Sequence, residues 1–121
     1  MAKSNINCLI LEDAYYTASE LCNYIKSLRP DITLRGVVDS LAEAREILYE
    51  GNINLIIADT SVSDGETIDF LKKYSPTPII LFSEYDQDFF VTDGMNIVAY
   101  IILPVSKEDL NQAFEKLVKF N

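Results

Sequence analysis

Along the chain, apolar runs of strand length alternate five times with segments of helical period. "INCLIL" (6–11) is a short buried-strand run, followed by a stretch whose apolar positions Ala18, Leu21, Ile25 and Leu28 share one helical face and stop before Pro30. "ITLRGVV" (32–38) alternates Ile32, Leu34, Gly36 and Val38, the pattern of an edge strand with one solvated face. Ser40 opens "SLAE", a capping box completed by Glu43, and that helix ends near Gly51. "INLIIA" is the third strand, and a helix from about Asp64 to Tyr74 precedes "SPTP". "PIILF" is the fourth strand, with a weakly patterned helix over 85–95. "IVAYII" is the fifth, and Leu110, Ala113, Phe114 and Leu117 mark a final helix capped by Ser106.

Strict β-α alternation predicts a parallel sheet with helices on both faces. Strands 1, 3, 4 and 5 are continuous apolar runs and strand 2 alternates, which puts strand 2 at an edge. The order 2-1-3-4-5 follows, that of flavodoxin-like doubly wound (βα)5 sheets, whose known examples guide this assignment. A length of 121 residues suits one domain spanning 1–121. The apolar runs are too short to cross a membrane and "MAKSNINCL" lacks the build of a signal peptide, so a cytoplasmic location is expected.

Charge and composition narrow the chemistry. Nineteen acidic against ten basic side chains give −9, which disfavours direct binding to nucleic acid or to anionic membranes. The chain has no histidine, which excludes Ser/His/Asp hydrolysis and Cys/His metal or catalytic sets. Cys8 and Cys22 read as reduced core residues.

In an open parallel sheet the site lies beyond the carboxyl ends of the strands, where the order reverses. Strand 1 delivers Glu12 and Asp13 there, strand 3 delivers Asp59, strand 4 Ser83, and strand 5 Leu103-Pro104. Crowded carboxylates repel and hold protons unless a cation neutralises them, and hard oxygen donors of this kind suit Mg²⁺. A carboxylate beside such an ion can attack a phosphoryl group without any histidine base. Taken singly, each residue also has a plainer reading. Asp59 could be a turn former, Asp13 a helix cap, Ser83 a local hydrogen-bonding residue, Tyr100 a packing aromatic, and "SVSDG" a solvated turn with Asp64-Gly65 starting the third helix.

Together these segments resemble the receiver domain of two-component response regulators (CheY-like) over essentially the whole chain. "CLILEDAYYTASEL" is similar to the strand 1 acidic segment, "NLIIADTSVSDGETIDFL" to the phosphoacceptor segment, "PIILFSEYD" to the strand 4 Ser/Thr segment, and "VAYIILPVSKEDL" to the aromatic-x-x-Lys-Pro segment. The stretch from "SEYDQDFF" onward most resembles receivers carrying a LytTR-type DNA-binding output domain. Such a receiver can stand alone or be excised from a longer transcription regulator.

The resemblance implies that Asp59 accepts a phosphoryl group from a sensor histidine kinase. It further implies that Asp13, Asp59 and the Ser61 backbone carbonyl bind Mg²⁺, with Glu12 acting directly or through water. Ser83 would hydrogen-bond the phosphoryl group, and Tyr100 would repack as Ser83 moves. Beyond assisting its own phosphorylation and dephosphorylation, no enzyme activity is expected. The partner or homodimer surface implied is the face of the fourth helix, fifth strand and fifth helix.

Three positions depart from the pattern. Leu103 replaces the lysine before Pro104, Ser63 a proline, and Thr67 a glycine. Leu103 removes the cation that would pair with the phosphoryl group, and Lys107, four residues further on at the start of the next helix, is not expected to reach back and replace it. Two readings stay open: a receiver that still takes a phosphoryl group, favoured by its intact acidic residues, and a phosphorylation-independent pseudo-receiver acting as an interaction module. An FMN carrier on the same topology would need a phosphate-binding loop where "EDAYYTAS" stands. A haloacid-dehalogenase-like phosphatase would need an aspartate at Ser61.

Overall fold

The sheet is built from strands that are apolar on both faces, as expected of a parallel sheet sandwiched between helices. A computed structural model describes residues 6–120, with side chains to residue 117. The elements run β1 (Asn7–Leu11), α1 (Tyr15–Leu28), β2 (Thr33–Val38), α2 (Leu41–Glu50) and β3 (Leu55–Asp59). A two-stranded hairpin of β4 (Ser61–Val62) and β5 (Gly65–Glu66) follows, then α3 (Thr67–Leu71). The chain continues through a 3₁₀ turn (Lys72–Tyr74), β6 (Pro78–Ser83), a 3₁₀ turn (Gln87–Phe89), β7 (Asn96–Ile102) and α4 (Lys107–Phe120). The five main strands are parallel in the order β2-β1-β3-β6-β7, the order expected from the pattern, with β2 at an edge.

Each face of the sheet has its own core. Cys8, Ile10, Ile57, Ile80 and Phe82 meet Leu21 and Ile25 of α1 and Leu110, Ala113, Phe114 and Leu117 of α4. On the other face Leu9, Leu11, Ile56, Ala58, Ile79 and Leu81 meet Ala44 of α2 and Ile68 and Leu71 of α3. The two cysteines are free, Cys8 within the first core and Cys22 half-buried at its margin.

The caps read from sequence form. Ser40 Oγ accepts from Glu43 N–H at 3.2 Å, and Ser106 Oγ accepts from Asp109 N–H at 3.0 Å. Gly51 closes α2 at φ 85°, a left-handed conformation that glycine takes without a Cβ clash.

Two helices differ from expectation. The third starts at Thr67, not at Asp64, because Asp64 serves another helix. Its Oδ1 accepts from Leu41 N–H at 2.7 Å and its Oδ2 from Ala42 N–H at 3.2 Å, capping α2 from across the loop. Those backbone donors hold the Asp64 carboxyl below its usual range. Ser63 Oγ donates to the Asp39 carbonyl at 3.0 Å, a bond that a proline at this position could not make. The hairpin turn at Asp64-Gly65 is therefore pinned to the start of α2.

The expected helix over 85–95 is replaced by the single 3₁₀ turn at Gln87–Phe89. Asp86 caps that turn through Asp88 N–H at 3.1 Å, and Gly94 at φ 86° breaks the segment that follows. Its aromatics pack on each other, Tyr85 on Phe89 at 4.9 Å and Phe89 on Phe90 at 5.2 Å, instead of lining one helical face. Phe90 and Met95 cover the sheet there. The helix-strand-helix partner face implied by the resemblance is thus missing its fourth helix.

Gly36 on β2 lies directly beneath Ile47 of α2, so that a Cβ would overlap the Ile47 side chain and crowd Leu9 at 3.3 Å. Gly36→Val is expected to destabilise the fold by about 1–3 kcal/mol through overpacking, read as a lower urea midpoint. An unchanged midpoint would show that α2 does not pack on β2 in this way.

Candidate functional site

β1 and β3 are adjacent, with Leu11 opposite Ala58, so the residues that follow them emerge together at the point where the strand order reverses. Glu12 continues β1, its N–H bonded to Val38 O at 2.9 Å, and its side chain is buried. One carboxyl oxygen, Oε1, accepts from Ala14 N–H at 2.8 Å. The other, Oε2, is buried with no hydrogen-bond partner.

Burial pushes the Glu12 carboxyl up to about 8, and the facing Asp59, toward which only a protonated Glu12 can donate, adds to the shift. The charge of Asp13 acts in the same direction. Asp13 itself is exposed. The N-cap of α1 is Ala14, with no side-chain cap bond, so Asp13 is not the helix cap that its position suggested.

Asp59 ends β3 half-buried. Its Oδ1 accepts from Ser61 N–H at 3.1 Å and from Thr60 Oγ1 at 3.5 Å. Thr67 N–H bonds to Thr60 O at 3.0 Å, and Val62 is paired with Gly65 across the hairpin. The alternation of an antiparallel ladder therefore uses the carbonyls of Thr60 and Val62 and leaves that of Ser61 outside it.

Ser83, at the end of β6, is buried and connects the site to strand β7. Thr60 Oγ1 lies 3.0 Å from Ser83 Oγ, which also accepts from Tyr85 N–H at 3.1 Å. The Tyr85 carbonyl accepts from Tyr100 Oη at 2.6 Å, while Leu103 N–H bonds to Ser83 O at 2.8 Å. Burial raises the Tyr100 phenol above its ordinary value. A chain of hydroxyls and main-chain groups thus runs from Asp59 through Thr60, Ser83 and Tyr85 to Tyr100. Sequence reasoning missed Thr60; the available signal was a hydroxyl next to the candidate aspartate.

Leu103 packs its side chain against the first core. Among the described residues the ion pairs are Arg29–Asp31 and Lys72–Asp69, both away from the carboxylates. Lys107, the first residue of α4, makes neither of these pairs. Thr67, in place of glycine, is fully buried with an unpartnered Oγ1.

The orphaned Glu12 Oε2, the neighbouring Asp13 and Asp59 carboxylates and the Ser61 carbonyl left outside the hairpin ladder form a hard-oxygen donor set that fits a small divalent cation completed by water. Among the described residues no three His, Cys, Asp or Glu side chains close on a single point as a ready-made metal cage. The set is an open one.

The fold is that of CheY-like response-regulator receiver domains. It matches the response regulator PhyR from Brucella abortus with a TM-score of 0.82 at 16% identity, over 98% of this chain and 49% of that one. The CheY-like receiver domain from Methylobacillus flagellatus matches with a TM-score of 0.77 at 15% identity, over 94% of this chain and 99% of that one. Among curated proteins, the sensory transduction protein LytT of Enterococcus faecalis is 29% identical over 118 residues, 94% of this chain and 48% of LytT. The chain spans about half the length of the curated relatives it matches. No protein-family model matches the chain.

A carboxyl raised from 4.5 to about 8 holds its proton in the folded state after the unfolded chain has lost it. The metal-free protein is therefore expected to lose stability as pH rises from about 4.5 to about 8, where the loss levels off. Glu12→Gln should flatten that segment of the stability–pH curve. Chemical denaturation at several pH values reads it, and an unchanged slope would show that Glu12 is already ionised.

Proposed function

We propose that the chain is the receiver module of a two-component response regulator, in which Asp59 takes a phosphoryl group from a histidine of a sensor kinase in a Mg²⁺-dependent step. The observation that carries this reading is Asp59 at the switch point, beside a buried glutamate with an unsatisfied oxygen and linked by hydroxyls to Ser83 and Tyr100.

Asp13, Asp59 and the Ser61 carbonyl would hold the ion, with Glu12 directly or through water. When bound, Mg²⁺ would neutralise charge on the transferring phosphoryl oxygens. Ser61 N–H and the Thr60 hydroxyl orient the Asp59 carboxylate so that one oxygen attacks phosphorus as the bond to the kinase's histidine nitrogen breaks. Ser83, already within reach of Thr60, can turn its hydroxyl toward a phosphoryl oxygen. That turn removes a link in the chain ending at Tyr100 and so biases the 84–95 segment and β7 between two packings.

The chain would assist only its own phosphorylation and dephosphorylation. Its output would be an attached or separate partner, such as a LytTR-type DNA-binding domain, since a charge of −9 does not suit this domain to contact DNA itself.

A second reading draws on Leu103, which supplies core packing where the resemblance implies a cation: a pseudo-receiver that works by contacts alone. Acetyl phosphate with Mg²⁺ separates the two. The first reading expects a mass gain of about 80 Da, absent in Asp59→Ala; no adduct on the wild type supports the second. Under the first reading Leu103→Lys restores a charge-assisted bond and is expected to raise adduct formation by about tenfold. No change would show that strand β7 does not reach the phosphoryl group.

A further inference from the structure

β7 is the outer strand of the sheet, and among the described residues it pairs with β6 alone. The Leu103 N–H points to β6. By the alternation along a strand, Ile101 faces β6 too, and the main-chain N–H and C=O of Tyr100 and Ile102 face outward.

Such an edge invites pairing unless something blocks it. At the opposite edge, β2 carries the charge of Arg35 and an irregular register where it meets β1. β7 has no charged residue, and past its register shift Ala99–Ile102 pair regularly with Ile80–Ser83. A groove of about 240 Å³ follows this stretch, bounded on α4 by Asp109 and Lys116. On the other face the fourth helix is absent, and Ile102 is 52% exposed.

We propose that β7 pairs antiparallel with β7 of a second copy, about a two-fold axis at Ile101. The occupant follows from two complementarities. In this register Tyr100 exchanges both main-chain hydrogen bonds with the partner's Ile102, and the exposed Ile102 side chain lies across from the partner's Tyr100, an aromatic and β-branched pair. On the α4 side, Asp109 and Lys116 lie about 10 Å apart along the helix. Because α4 runs back along β7, the same axis brings Asp109 of one copy toward the partner's Lys116. The dimer would be a continuous sheet joined by strands, unlike the face containing a fourth helix that the family resemblance implies.

The test uses the unmodified 121-residue chain, so it stands apart from the phosphoryl-transfer reading. Sedimentation velocity at physiological salt should show a concentration-dependent dimer. Amide exchange at Tyr100 and Ile102 should slow as the dimer forms, while Val37 on the opposite edge stays unchanged. Asp109→Lys and Lys116→Asp should each weaken dimerisation by about tenfold, and the double swap should restore it. The proposal is overturned by a monomer at all concentrations, by a dimer in which those two amides exchange as in the monomer, or by a double swap that does not restore dimerisation.

Discussion

The arrangement at the site depends on one electrostatic conflict: a buried glutamate set against two aspartates, none of the three in an ion pair among the described residues. β1 and β3 are adjacent because both are apolar on both faces and need neighbours on each side. That adjacency sets Glu12 and Asp13 next to Asp59 whatever chemistry follows. With one Glu12 oxygen bonded to Ala14 N–H and the other bonded to nothing, the folded chain either keeps a proton there or needs a cation. The fold thereby builds a demand for positive charge into the end of the sheet.

The departures from the receiver pattern become legible when placed in the structure. Ser63 replaces a residue that could not donate and ties the hairpin to Asp39, while the adjacent Asp64 caps α2. Leu103 puts core packing where the receiver pattern has a charge; under the proposed phosphoryl transfer, Ser83, Thr60 and the ion would take over its task. Thr67 brings a buried hydroxyl without a partner, for which the structure offers no compensating bond.

The sheet order, the edge position of β2 and the caps at Ser40 and Ser106 were legible because each rests on a local signal: runs of apolar residues, alternation, and a hydroxyl three residues before its donor. The candidate residues Glu12, Asp13, Asp59 and Ser83 could be placed because strand ends follow directly from strand limits, while Tyr100, inside the fifth strand, was singled out by the family resemblance. Asp64 was misjudged because its partners, Leu41 and Ala42, are more than twenty residues away, and no local rule distinguishes a cap on the next helix from a cap on a distant one. The 85–95 segment misled for another reason. Its aromatics were available for a helical face, but they stack on one another and its Gly94 takes a positive φ. Thr60 went unnoticed because its role exists only once β3 and β6 lie side by side.

The central claim is that Glu12, Asp13, Asp59 and the Ser61 carbonyl form an open cation site that carries a proton when empty. Calorimetric titration of Mg²⁺ into the metal-free chain near pH 7, repeated in buffers of different ionisation enthalpy, tests it most directly. The account predicts saturable binding with proton release, and loss of that release in Glu12→Gln. Absence of binding, or binding without proton release in the unaltered chain, would contradict it.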